Sequence, residues 1–417
     1  MTDAMFATGK NQGLDVQKIR EAFPMLQKTI NGKQIIYLDS AATGQKPKVV
    51  LDKLYQFYEA EYGKPNESHS LSQKATQELD AARKKMADFL GASNEKEIVF
   101  SRGCTESINM VAGGFERGLL KKGDEVLITA LEHHANIVPW QLACEQTGAK
   151  LVVTPVNEKG EIDLSYYEAA LTSKVKLVAV SHTSHALGNK LPVKQMIEQA
   201  HEKDIPVMLD GAQAAPHMKL DMQEIDCEFY TFSCHKMGSP SGVGVLYGKK
   251  KWLEKLPPFE GGADMAKKVT LEKFSLADVP KKFEAGTMPF AEIIATGTLI
   301  DFLNEIDMRK TEQYEQELLL YATQKLSQVD RVRIMGTEGE KEPVLSIDVD
   351  GLDVKKLERF LNDAYNIDVR AGDLTAQPLM KILGVSALLR ASFCFYNTRE
   401  EIDIFAEAVS EFIQNNS

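Results

Sequence analysis

The chain has 417 residues and a formal charge of −11, with 43% hydrophobic and 26% charged residues, an ordinary globular composition. The acidic balance argues against a nucleic-acid partner, and the lack of an apolar run of about 18 residues argues against a membrane-spanning helix. Five scattered cysteines without a C-x-x-C pair read as reduced thiols, and the polar start Met1 to Gly13 makes the cytoplasm the expected location.

At about 150 residues per domain the length allows two or three domains. Between about residues 95 and 250 short apolar runs alternate with amphipathic ones. The apolar runs are Val126–Ala130, Leu151–Val156, Val175–Ser181, Ile205–Leu209, Phe229–Phe232 and Gly242–Tyr247. Ile137–Glu145, Leu164–Leu171 and Val193–His201 read as helices between them. This alternation predicts an α/β fold with a mainly parallel sheet covered on both faces. Ligands of such sheets bind at the carboxyl ends of the strands. Lys250 to Thr287 reads as a connecting or lid region. Ile293–Ile306 and Glu312–Leu326 then read as helices, Val344–Val349 and Leu388–Phe395 as strands, and Val354–Asn362 and Glu401–Ile413 as helices. The expected division is an N-terminal arm of residues 1–30 packed on the smaller domain, a large domain of 31–300 and a smaller α+β domain of 301–417.

The strongest chemical feature is Ile205-Pro-Val-Met-Leu-Asp210-Gly-Ala-Gln213, a buried strand ending in an acid, followed 26 residues after Asp210 by Lys236 in Ser233-Cys-His-Lys236. A carboxylate and a lysine at neighbouring strand ends suit pyridoxal 5'-phosphate. The lysine forms the Schiff base, and the acid keeps the pyridine nitrogen protonated so that the ring accepts electrons.

With these motifs the chain resembles the SufS-like cysteine desulfurases and selenocysteine lyases of the class V aminotransferase group. The matching segments are Tyr37-Leu-Asp-Ser-Ala-Ala-Thr43 with Gln45-Lys-Pro47, Arg102-Gly-Cys-Thr-Glu106, Glu132-His-His-Ala-Asn-Ile-Val-Pro-Trp-Gln141, Asp210-Gly-Ala-Gln213, Ser233–Lys236, Phe283-Glu-Ala-Gly-Thr287 and Arg390-Ala-Ser-Phe-Cys-Phe-Tyr-Asn-Thr398. The resemblance implies a fold-type I pyridoxal-phosphate transferase, its large domain built on a seven-stranded type of sheet, acting as a homodimer on a small-molecule amino acid. It implies Lys236 as Schiff-base lysine and proton carrier, Asp210 at the pyridinium nitrogen, Gln213 at the ring phenolate and His133 stacked on the ring. Cys104 and Thr105 would offer backbone N–H groups to the phosphate at a helix start. Ser233 and His235 would add side-chain donors, and Thr287 would reach the partner subunit's phosphate. Arg390 would bind the substrate carboxylate through two parallel hydrogen bonds. Arg370 would line the substrate site from the smaller domain.

The departures from the family cluster around the same pocket. Where those enzymes carry a catalytic cysteine in a pattern like Arg-x-Gly-His-His-Cys-Ala-x-Pro, this chain reads Arg370-Ala-Gly-Asp373-Leu374-Thr375-Ala-Gln-Pro378. A threonine hydroxyl is barely ionised at neutral pH and cannot carry a persulfide. The His-Arg-Gly segment expected near Tyr62–Ser72 is absent, Ser-Asn-x-Leu-Gly becomes Ser184-His185-Ala-Leu-Gly188, and Tyr-Gly-Pro after the lysine becomes Gly238-Ser239-Pro240. Cys234 and Cys394 read as packed thiols rather than substitute nucleophiles. His182 and His185 lack a third ligand at metal-site spacing, so no metal is expected.

The expected function is therefore lyase chemistry on a cysteine- or selenocysteine-like substrate without the usual persulfide cysteine. Two alternatives stand beside it. One is an aminotransferase or epimerase for another amino acid, with His185 as a second acid/base titrating near pH 7. The other is a non-catalytic pyridoxal-phosphate-binding paralogue in sulfur assembly. A sulfur-acceptor protein, and whether Thr375 contacts substrate, stay open.

Overall fold

The computed structural model describes residues 14–30 and 32–416. Its larger sheet contains β1 (Ile98–Ser101), β2 (Glu125–Thr129), β3 (Lys150–Thr154), β4 (Val175–Ser181), β5 (Val207–Asp210), β6 (Phe229–Ser233) and β7 (Gly244–Gly248). The spatial order is β1-β7-β6-β5-β4-β2-β3. β7 is antiparallel to both neighbours, and every other pairing is parallel.

The central strands read as unbroken apolar runs because both faces are buried. Successive side chains point to opposite faces. Thus Val178, Val180, Val207 and Leu209 join one core, while Leu177, Ala179 and Met208 join the other. Helices Ser70–Phe89, Val193–His201 and Phe290–Ile306 cover the first face; Cys104–Gly118 and Val138–Thr147 cover the second. Burying each such Val or Leu side chain stabilises the fold by roughly 1.5–3 kcal/mol. β2 to β7 lie on the apolar runs of the sequence, whereas β1, a short strand directly after the charged turn Glu95–Glu97, does not.

The smaller sheet contains β8 (Val332–Met335), β9 (Val344–Val349), β10 (Arg370–Gly372) and β11 (Leu388–Ser392), in the antiparallel order β8-β9-β11-β10. Helices Met308–Leu326, Val354–Tyr365 and Arg399–Asn415 share its core. Two segments cross between the units. Strand Ile36–Tyr37 pairs in parallel with Ile367–Asp368, so Ile36 and Leu38 enter the smaller core. Conversely Leu374, Ala376 and Leu379, just after β10, enter the larger core.

Of the expected N-terminal arm, residues 1–13 lie outside the described residues. The remainder is anchored at its inner end. Arg20 pairs with Glu401 at 2.9 Å, both side chains 8% exposed, and Phe23 packs its ring on Phe302, Phe395 and Tyr396. Glu401 also closes a capping box with Thr398 at the start of the last helix. The expected connecting region, Lys250 to Thr287, contains a short helix (Lys250–Lys255) and a hairpin (Ala266–Val269 with Phe274–Leu276).

Candidate active site

Asp210 ends β5, and Lys236 sits on the turn that leaves the adjacent strand β6. Their side chains line a cavity of about 460 Å³ at the carboxyl ends of the sheet. Cys104, Thr105, His133, His185, Gln213, Ser233, His235, Arg370, Thr375 and Arg390 line the same cavity. Thr287 does not; it lines a separate cavity of about 560 Å³ with Arg83 and Asp278.

Burial lowers the proton affinity of the Lys236 amine, opposed by the nearby Asp210 carboxylate. A lysine biased toward its neutral form is a nucleophile. Asp210 Oδ1 accepts from the Ala212 amide at 2.9 Å and from the Cys104 thiol at 3.2 Å. Burial and the same carboxylate push the Cys104 thiol up, so it stays protonated and donates.

The loop from β1 into the helix Cys104–Gly118 forms one wall. Gly103 caps that helix, and the Cys104 amide donates to Ser233 Oγ at 2.8 Å. The Ser233 hydroxyl hydrogen therefore remains available. β7 presses on this loop so closely that a Cβ at Gly244 would stand 2.4 Å from the Gly103 Cα. His235 Nδ1 lies 3.0 Å from Thr43 Oγ1, and Lys46 Nζ donates to Thr43 Oγ1 and the His235 carbonyl at 3.1 Å each.

The turn after β2 is held by Glu132. Its buried carboxylate accepts from Thr129, Ser181 (backbone and hydroxyl) and Asn136, and burial raises its pKa to about 7. This fixes His133, whose ring accepts from the Ala135 amide at 3.0 Å and meets the His185 ring edge-on at 4.7 Å between centroids. Burial lowers His133 to about 4, so the ring is neutral at pH 7.

His185 differs from its expected role. Nε2 lies 2.7 Å from the Leu374 carbonyl, which can only accept, so Nε2 carries the hydrogen. Burial drives its pKa well below 6.5. An imidazole held neutral and bonded to backbone does not titrate near pH 7. His182 likewise spends a ring nitrogen on Tyr230 Oη at 3.0 Å.

Arg390 is 3% exposed. It donates to the His185 carbonyl at 2.9 Å and to Asp39 Oδ1 at 3.2 Å, while its buried Nε has no partner. The other Asp39 oxygen pairs with Arg370 at 2.8 Å. The sequence reading gave Asp39 no role, because it lies 351 residues from Arg390. Gln213 bonds the Ala41 carbonyl through Nε2 at 2.8 Å and leaves Oε1 buried and unpartnered; Thr183 Oγ1 is unpartnered too. Buried polar atoms without partners are costly unless a ligand completes them. All five cysteines are free and buried. Burial raises the Cys234 and Cys394 thiols, so neither is an ionised nucleophile at neutral pH.

An α/β fold with a half-buried lysine and a buried aspartate at adjacent strand ends, facing a partly unsatisfied polar cavity, defines a fold-type I enzyme. A model of the aminotransferase class-V family matches residues 36–405. The chain is 42% identical over 98% of its length to a probable cysteine desulfurase of Mycolicibacterium paratuberculosis, and spans 60% of that relative's length. It is 40% identical to a probable cysteine desulfurase of Vibrio cholerae, covering 96% of this chain and 99% of that one. The crystal structure of the cysteine desulfurase CsdA from Escherichia coli superposes with a TM-score of 0.89, at 36% identity over 96% of this chain and 99% of the other. The chain belongs to the class-V aminotransferase family, in its SufS-like cysteine desulfurase branch.

Proposed function

We propose that the chain is a pyridoxal-phosphate-dependent lyase of the cysteine desulfurase kind, acting on a cysteine- or selenocysteine-like amino acid without a persulfide-carrying cysteine at position 375. The observation that carries this reading is the convergence of Lys236, Asp210 and Arg390 on one cavity whose wall leaves Gln213 Oε1, Thr183 Oγ1 and Arg390 Nε without partners. Arg390 Nε and Thr183 Oγ1 can donate to a carboxylate or another anionic edge of a flat cofactor, while Gln213, its Nε2 spent on the Ala41 carbonyl, offers only an acceptor.

Lys236 would hold the cofactor covalently, Asp210 would meet its ring nitrogen, and the neutral face of His133 would cover the ring. Ser233, His235 and the Thr105 backbone would hold its phosphate at the helix start, the Cys104 amide being bonded instead to Ser233 Oγ. When bound, pyridoxal phosphate supplies the electron sink that stabilises a carbanion at the substrate Cα. Arg390, its two terminal nitrogens bonded to the His185 carbonyl and Asp39, would fix the substrate carboxylate through its unpartnered Nε. The released Lys236 amine, biased toward its neutral form by burial, takes the Cα proton. Thr375 offers no ionised group to take up the substrate's sulfur or selenium, so the chalcogen would leave as the neutral element, the bonding pair of its carbon bond staying on Cβ, which takes a proton to give alanine.

A homodimer completes this reading, in which Thr287, lining a separate cavity of its own chain, would reach a partner's phosphate site, in the cytoplasm, where five unpaired thiols stay reduced. The test is product analysis of the pyridoxal-phosphate-loaded protein with L-cysteine and L-selenocysteine. Alanine from selenocysteine over repeated turnovers, with little from cysteine, supports it. No product from either overturns it.

A further inference from the structure

The segment Asp373–Gln377 closes one side of the cavity in a conformation that it would not hold alone. Leu374 and Thr375 are consecutive non-glycine residues in the left-handed region, at φ +52° and +56°. Side-chain crowding disfavours that region for L-residues, and adjacent residues rarely occupy it together. Outside contacts must therefore fix it.

Those contacts come from two histidines on the larger unit. His185 Nε2 donates to the Leu374 carbonyl at 2.7 Å. The His134 amide donates to the Thr375 carbonyl at 3.1 Å, and His134 Nε2 accepts from the Gln377 amide at 3.3 Å. Asp373 braces the turn from inside, accepting from the Thr375 amide at 3.0 Å and from Gln377 Nε2 at 2.8 Å. The Leu374 side chain, 5% exposed, is part of the larger core. The Thr375 hydroxyl donates to the Leu374 carbonyl at 2.5 Å and is directed at its own loop.

From this geometry we propose that His185 is a positioning residue, a latch that holds the Asp373–Gln377 segment as a fixed wall of the substrate cavity. His185 acts by donating to Leu374, not by moving a proton to or from substrate. Its own carbonyl accepts from Arg390 at 2.9 Å, so one residue ties the carboxylate-binding arginine to the wall opposite. Burial of the ring, with His133 against it and the charges of Arg390 and Lys236 nearby, holds its proton affinity well below that of an ordinary imidazole. The effect on turnover rests on the lyase reading; the latch itself does not.

The test is backbone hydrogen exchange of the full, pyridoxal-phosphate-loaded chain without substrate, comparing the parent with His185→Ala and His185→Gln. Glutamine can donate to the Leu374 carbonyl but cannot serve as an acid or base. Amides 374–377 should exchange at least tenfold faster in His185→Ala, with β4 and β5 unchanged, and recover most of their protection in His185→Gln. In turnover assays with L-selenocysteine, His185→Gln should keep kcat within about threefold of the parent, whereas His185→Ala should raise KM more than it lowers kcat. Unchanged exchange in His185→Ala, or no recovery in His185→Gln, overturns the latch. If protection follows the prediction and no turnover is seen in the parent, the lyase reading fails and the latch stands.

Discussion

Replacing Asp39 by Asn isolates the charge that holds the two arginines of the cavity. Arg390 has a side chain 4% exposed and Asp39 one 13% exposed, so the pair is buried on the arginine side and largely so on the other. Removing one partner of a buried pair costs roughly 3–5 kcal/mol, because the other charge stays buried without compensation. Asparagine keeps a neutral acceptor near Arg390, and the His185 carbonyl remains bonded, which puts the expected loss near the lower figure, about 3 kcal/mol. The Arg370 side chain is 50% exposed, so its pairing with Asp39 adds about 0–1 kcal/mol. Urea unfolding at neutral pH should therefore find Asp39→Asn strongly destabilised and Arg370→Gln nearly neutral. Adding Arg390→Met to Asp39→Asn should cost much less than the sum of the single changes, since no orphaned charge remains. An Asp39→Asn protein within about 0.5 kcal/mol of the parent would refute the argument. Equal losses for Asp39→Asn and Arg370→Gln would also refute it.

Other expectations follow from burial. His133, His182 and His235 are held at about 4 against an ordinary 6.5, each chiefly by burial. The unfolded chain takes up these protons first, so stability is present above pH 6.5 and is lost as pH falls toward 4. Glu132, raised from 4.5 to about 7, acts in the opposite sense between pH 4.5 and 7 and offsets about one proton. These four groups alone should contribute a slope of about 2 kcal/mol per pH unit near pH 5.5, after allowing for the half-buried rings; a flat Tm from pH 6.5 to 4.5 would contradict it. Gly244→Ala would drive a methyl into the Gly103 backbone, which cannot yield as a side-chain tip can. Cofactor titration should find pyridoxal-phosphate affinity reduced at least tenfold with circular dichroism preserved, and unchanged affinity would mean that the loop does not bear on the phosphate site.

The positions of Asp210 and Lys236 were legible because a buried parallel strand announces itself as an apolar run, and ligand sites lie at its carboxyl end. Their convergence on one cavity follows from the β5–β6 pairing. Hidden from the sequence were relations across long separations. Asp39 meets Arg390 through the crossing strand Ile36–Tyr37, and Cys104 meets Asp210 across 106 residues. His185 was misjudged because an imidazole's chemistry depends on its surroundings: the residue type suggested titration near neutrality, and the Leu374 carbonyl and burial remove it. The helices Lys48–Gln56 and Ser70–Phe89 were not read, since their apolar stripes are narrow and interrupted by charge.

The central claim is that Lys236 performs lyase chemistry without a thiol at position 375. Its most direct test is alanine release from L-selenocysteine by the pyridoxal-phosphate-loaded parent and by Lys236→Ala, with cofactor absorbance recorded in both. Repeated turnovers are predicted in the parent, and in Lys236→Ala loss of turnover together with loss of the absorbance of the lysine-linked cofactor. Undiminished alanine release by Lys236→Ala would contradict it.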